Sequence, residues 1–102
     1  MDADEKGGVG MTRWHLLFSG RVQAVGFRYW ARRIAEDLGL TGWVENLDDG
    51  RVEAEVQGEP PALRQFLLRL KAKPYIRVTG VELTELPPAA HERGFRVRGL
   101  GF

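Results

Sequence analysis

An α+β sandwich, with two helices on one face of an antiparallel sheet, is the fold class this sequence predicts. Three observations predict it. Residues 51–57 set Val52, Ala54 and Val56 against Arg51, Glu53, Glu55 and Gln57, the alternation of a strand with one dry face and one wet face. Residues 27–38 and 61–71 carry apolar side chains at helical spacing. The elements run strand, helix, strand, strand, helix, strand, then a short fifth strand, so a split β-α-β unit occurs twice.

Each element has its own signal. Trp14 to Ser19 alternates Trp14, Leu16 and Phe18 with His15, Leu17 and Ser19. Both sets contain apolar residues, which places the strand near the middle of a sheet. The first helix, Phe27 to Leu38, repeats Trp30, Ile34 and Leu38 at four-residue steps, with Ala31 and Ala35 beside them. Gly39 stands at its C-cap. Leu40 to Asn46 is the second strand, and Asp48-Asp49-Gly50 is the turn into the third, since Asp-Gly tolerates positive φ. Gly58-Glu59-Pro60 breaks the third strand. The second helix, Pro61 to Lys71, opens on proline, whose missing N–H costs nothing in a first turn. Its buried stripe is Leu63, Phe66, Leu67 and Leu70, and Lys71 and Lys73 lie at the end where cations are favoured. Val78 to Leu86 is the fourth strand, with Val81 and Leu83 inward, and Pro87-Pro88 ends it. Phe95 and Val97 make the short last strand. This is the ferredoxin-like arrangement, both helices covering one face of the sheet.

The chain has 102 residues, the size of one domain. Residues 11–102 read as that domain. The polar, glycine-rich start, residues 1–10, reads as a disordered tail. Lys plus Arg total 15 against 14 Asp plus Glu, a balance that argues against a nucleic-acid binder, which shows a basic excess. The absence of cysteine excludes disulfides and thiolate chemistry. Apolar runs fall far short of the roughly 20 residues of a membrane span. No apolar signal region opens the chain. A cytoplasmic monomer without membrane or nucleic-acid partners is expected.

Gly20-Arg21-Val22-Gln23-Ala24-Val25-Gly26-Phe27-Arg28 joins the first strand to the first helix. Such a loop can turn backbone N–H groups inward, and a helix's first turn offers more that lack internal partners. The helix opens with Arg28, Arg32 and Arg33 and no acid before Glu36. Each cation there opposes the helix dipole by about 0.3–1 kcal/mol, so the missing negative charge can arrive as a ligand. The glycines form neither a P-loop, since no Lys-Ser or Lys-Thr follows, nor a dinucleotide fingerprint. From the residues alone, an anion cradle and an ordinary strand-to-helix loop both remain open.

The segment resembles the acylphosphatase loop, apolar-x-Gly-x-Val-Gln-Gly-Val-x-Phe-Arg, here Phe18-Ser19-Gly20-Arg21-Val22-Gln23-Ala24-Val25-Gly26-Phe27-Arg28. A second pattern of that family appears as Gly42-Trp43-Val44-Glu45-Asn46, followed by Gly50, Val52 and Gly58. The resemblance covers residues 12–98 and carries the same fold. It implies a hydrolase of carboxyl–phosphate anhydrides that needs no metal, cofactor or covalent nucleophile, acting on a small-molecule acyl phosphate. It implies that the amides of Arg21, Val22, Gln23, Ala24, Val25, Gly26 and Phe27, with Arg28, hold phosphate, and that Asn46 positions water. The chemistry agrees. Arginine offers a donor fork matched to phosphate oxygens. Asparagine is a poor base but can orient a water, which suffices for a good leaving group and a loose transition state.

Outside a motif, Arg28 would read as a solvated charge and Asn46 as a strand end. Arg32 and Arg33 read as a solvated face. His15 and His91 read as bystanders with no partner acid at recognisable spacing. Three positions depart from the family pattern. Ala24 replaces a glycine, and a positive φ there would cost alanine about 1 kcal/mol. Glu45 stands beside Asn46 in sequence but points the other way along a strand. Phe18 replaces a smaller aliphatic residue and concerns packing. The competing functions are a catalytically weak phosphate- or partner-binding module of the same fold, and an RNA binder. The second requires exposed aromatics on the central strands, where Arg51, Glu53, Glu55 and Gln57 stand instead.

Overall fold

In the computed structural model, which describes residues 10–99, strand β1 (Thr12–Arg21) lies in the interior of the sheet. Helix α1 (Phe27–Leu38), strands β2 (Thr41–Asn46) and β3 (Val52–Gly58), helix α2 (Pro60–Lys71), and strands β4 (Arg77–Leu86) and β5 (Phe95–Arg98) follow. The expected tail falls on residues 1–9, which lie outside the described residues, and on Gly10, which sits in an exposed turn. The strand order is β4-β1-β3-β2-β5. The pairs β1·β4, β1·β3 and β2·β3 are antiparallel, as expected. The short last strand departs from that expectation: β5 runs parallel to β2, which makes the sheet mixed.

Alternation decides which residues face the helices. Leu16 and Phe18 of β1, Val44 of β2 and Val52, Ala54 and Val56 of β3 are fully buried. They share one core with Ala31, Ile34 and Ala35 of α1 and Leu63, Phe66 and Leu70 of α2. Each large apolar side chain buried in this way contributes about 1.5–3 kcal/mol. Val81 and Leu83 sit opposite Phe18 and Leu16 and so share the helix-side face. Leu83 is nevertheless 45% exposed, because β4 is an edge strand and the helices do not cover it there. Trp30, Leu38 and Leu67 flank the core rather than fill it. The ammonium of Lys73 lies 3.8 Å over the Trp30 ring.

Two glycines are required by close approach. A Cβ at Gly20, at φ 120°, would overlap the Arg77 carbonyl oxygen of β4. A Cβ at Gly42, at φ 141°, would overlap that of Glu55 in β3. Gly20 also marks a register shift in the β1·β4 pairing, where the chain leaves the sheet for the loop.

Candidate active site

The loop that opens after Arg21 is pinned at both ends by burial. Val22 is fully buried and Phe27 is 2% exposed. The Phe27 ring packs 4.9 Å, centroid to centroid, from Phe18, so the larger residue at position 18 supports the floor of the loop. Between these pins the backbone turns through left-handed conformations at Ala24, φ 61°, and Gly26, φ 80°. The positive φ anticipated at Ala24 is therefore present in an alanine.

Gly26 is the N-cap of α1. It supplies no side-chain cap, and no acid stands in the first turn. Its carbonyl accepts from the Trp30 N–H at 3.0 Å, closing the first helical turn. The N–H groups of Phe27, Arg28 and Tyr29 thus have no intrahelical partner. Arg28, in that same turn, donates from Nη1 to the Arg98 carbonyl of β5 at 3.3 Å.

These parts border a cleft of about 550 Å³ lined by Val22, Gln23, Ala24, Gly26, Phe27, Arg28, Tyr29, Arg32, Asn46 and Val97. Arg28, Asn46 and five of the seven expected loop residues meet here. Arg21 and Val25 do not. Val25 packs against the core. Arg21 borders a separate cavity of about 640 Å³ with Lys71, Tyr75, Ile76, Arg77 and Val78. That cavity holds none of the other expected site residues.

Asn46 is the last residue of β2 and lies opposite Val52, on the helix-side face. Its Oδ1 atom is buried and has no hydrogen-bond partner among the described residues. Glu45 lies on the other face, as expected, with its carboxylate 3.3 Å from Arg98 Nε. The Arg98 guanidinium stacks 4.1 Å from the Trp43 ring centre. Among the described residues, no acid lines the cleft. Arg32 reaches its rim rather than belonging only to a solvated face, and it also pairs with Glu36 at 3.1 Å. Position 32 is four residues beyond Arg28 on the same helix face, so helical spacing could have found it. Val97 had no such local signal, because it arrives through the parallel pairing of β5.

His15 does have a partner acid. Its Nε2 lies 2.7 Å from Glu53 Oε2 across β1·β3. The two residues are 38 positions apart, which no local spacing could reveal. The pair lies on the face away from the helices, and neither residue touches the cleft. Among the described residues, no group of three or more His, Asp or Glu side chains could hold a metal ion. Nor is any helix long and apolar enough to cross a membrane.

The acylphosphatase family model matches residues 14–97. The acylphosphatase of Bacillus pumilus is 41% identical over 90 residues, covering 87% of this chain and all of the relative. The crystal structure of the acylphosphatase from Bacillus subtilis superimposes with a TM-score of 0.80 at 36% identity, over 86% of this chain and 99% of the other. The acylphosphatase structure from Coxiella burnetii gives 0.79 at 38% identity, over 87% and 94%. A family match across nearly the whole domain, a relative matched over its full length and a shared fold establish that the chain belongs to the acylphosphatase family.

Proposed function

We propose that this protein hydrolyses acyl phosphates to carboxylate and inorganic phosphate, with phosphate held by Arg28 and the amides of the 22–27 loop and water held by Asn46. One observation carries the reading: a buried, unpartnered Asn46 Oδ1 in the same cleft as Arg28 and the uncapped end of α1. An unpaired buried acceptor costs about 1–3 kcal/mol, and such groups in folded proteins have a reason. A water admitted to Oδ1 as the cleft takes substrate would donate one hydrogen bond to it and keep a lone pair free to face phosphorus.

The step balances without a strong base. The bond from phosphorus to the carboxylate oxygen breaks, and the carboxylate leaves with the electron pair. The water oxygen bonds phosphorus as the loose transition state collapses. Its second proton passes to a phosphoryl oxygen, and the leaving carboxylate, a weak base, needs none. Arg28 and the backbone N–H groups spread the phosphoryl charge in a site already shaped for it.

The test is steady-state hydrolysis of an aromatic acyl phosphate in ¹⁸O water, with and without chelator. Expected are undiminished turnover in chelator and label in the phosphate only. Activity that vanishes on chelation and returns with Mg²⁺ or Zn²⁺, or label in the carboxylate, overturns the mechanism.

A further inference from the structure

Gln23 belongs to the loop, yet its side chain reaches away from it. The amide Nε2 donates to the Leu47 carbonyl at 2.7 Å and to the Arg51 carbonyl at 2.9 Å. Both partners are pure acceptors, so chemistry alone fixes the amide's orientation. These carbonyls are the two ends of the β2–β3 turn. Leu47 O also accepts from Gly50 N at 3.2 Å, and Arg51 O from Leu47 N at 2.9 Å. Gln23 therefore fastens the loop to a turn already closed on itself. Leu47 directly follows Asn46.

Among the described residues, no other hydrogen bond joins loop residues 22–26 to this turn. The two halves of the cleft come from different parts of the chain. The loop hangs between β1 and α1, and Asn46 ends β2. Their separation is set by the core beneath and by this one bridge across the top. We propose that Gln23 is a positioning residue: its amide holds the water-bearing end of β2 in register with the phosphate-bearing loop. This rests on the reaction proposed above.

The role has a distinctive signature. Loosening the bridge should leave each half able to do its own work. The loop and Arg28 should still bind phosphate. What should be lost is the alignment of water with phosphorus, and small misplacements of that kind cost up to about 10²-fold in rate. Gln23→Met keeps the length of the side chain and removes both donors. It should lower kcat by about 10- to 100-fold, while KM and the inhibition constant of inorganic phosphate move less than about threefold.

A double-mutant cycle with Asn46→Ala separates positioning from general damage. If Gln23 acts by placing the water that Asn46 holds, Gln23→Met should cost nothing further in kcat once Asn46 is alanine. Additive losses in the cycle, or a weakening of phosphate binding that matches the fall in kcat, overturn the proposal. Should Gln23→Met fail to fold, Gln23→Asn, one methylene too short to span both carbonyls, carries the same cycle. The underlying reading fails differently: either the unmutated protein does not hydrolyse the aromatic acyl phosphate, or Asn46→Ala alone leaves kcat intact.

Discussion

Asn46 and Arg28 meet in one cleft, and kinetics can separate the different tasks proposed for them. In the proposed reaction Asn46 offers an acceptor to water, a contact that matters when water attacks. Asn46→Ala should cut kcat by about 10²–10³, the usual effect of removing one preorganised group, with little change in KM or phosphate inhibition. In the same proposal Arg28 holds the phosphoryl charge before and during the reaction, so Arg28→Ala should lose phosphate binding and turnover together. Arg28→Lys should rescue poorly, since a point charge lacks the planar fork. The assignment fails if Asn46→Ala weakens phosphate binding as much as Arg28→Ala while sparing kcat. Ala24 adopts φ 61°, where glycine is at home. Ala24→Gly should therefore hold or raise activity, by at most about tenfold, equivalent to about 1.4 kcal/mol in the barrier; a large loss would show that the Ala24 methyl is needed. At this scale the sequence was readable where a motif is contiguous. The cleft gathers Val22 to Arg28, apart from Val25, because those residues are neighbours in the chain. Arg21 falls outside because the end of β1 sends it toward Arg77, its partner in the sheet. The pairing of His15 with Glu53 was hidden because cross-strand register, rather than spacing, creates it.

Elements were legible wherever periodicity and punctuation agreed. Helix α1 matches its expected span because a glycine stands at each end: Gly26 caps the start, and Gly39, at φ 71°, closes the last turn. The β2–β3 hairpin follows Asp-Gly, with Gly50 at φ 94° and the Arg51 N–H bonded to Asp49 Oδ1 at 3.0 Å. What the pattern could not show is how the segment between β4 and β5 is fastened. It is tied to the sheet face away from the helices. Arg13, 6% exposed, donates to both Glu92 oxygens at 2.7 and 3.2 Å and to Glu55 at 2.8 Å. Gln57 exchanges two hydrogen bonds with the Ala89 backbone. Partial burial pushes the Glu92 carboxyl up, but the hydrogen bond and charge of Arg13 help to outweigh it, so its pKa lies below the ordinary value. A carboxyl that binds its proton more weakly when folded stabilises the fold above its unfolded pKa. That contribution fades as pH falls through the folded pKa. Glu92→Gln should cost about 1–3 kcal/mol at neutral pH, measured by urea unfolding. It should also flatten the loss of stability between about pH 5 and pH 3, the range in which carboxylates titrate. Parallel pH profiles for the two proteins would show that Glu92 is not a titrating tie.

At the scale of the whole molecule, the cleft is a junction of the β1–α1 loop, the end of β2 and the neighbouring strand β5, so a ligand there engages only the assembled fold. Inorganic phosphate should therefore raise the melting temperature. Saturation at a hundredfold Kd is worth about 2.7 kcal/mol, or roughly 10–20 °C in a domain of this size. A melting curve unmoved by phosphate, against a chloride control of equal ionic strength, would count against the cradle. The repeated β-α-β unit was legible in the sequence, but the parallel β2·β5 pairing was not, since a four-residue strand carries too little pattern to declare its direction. That edge strand also bears on when the enzyme is born. Arg28 donates to a carbonyl 70 residues later in the chain, in the last strand of the fold. A nascent chain emerging from the ribosome displays the loop first and Asn46 soon after, with every residue of both motifs in place. It still lacks the strand against which Arg28 is braced, so competence should appear only once β5 has been made, well after the motifs themselves are complete.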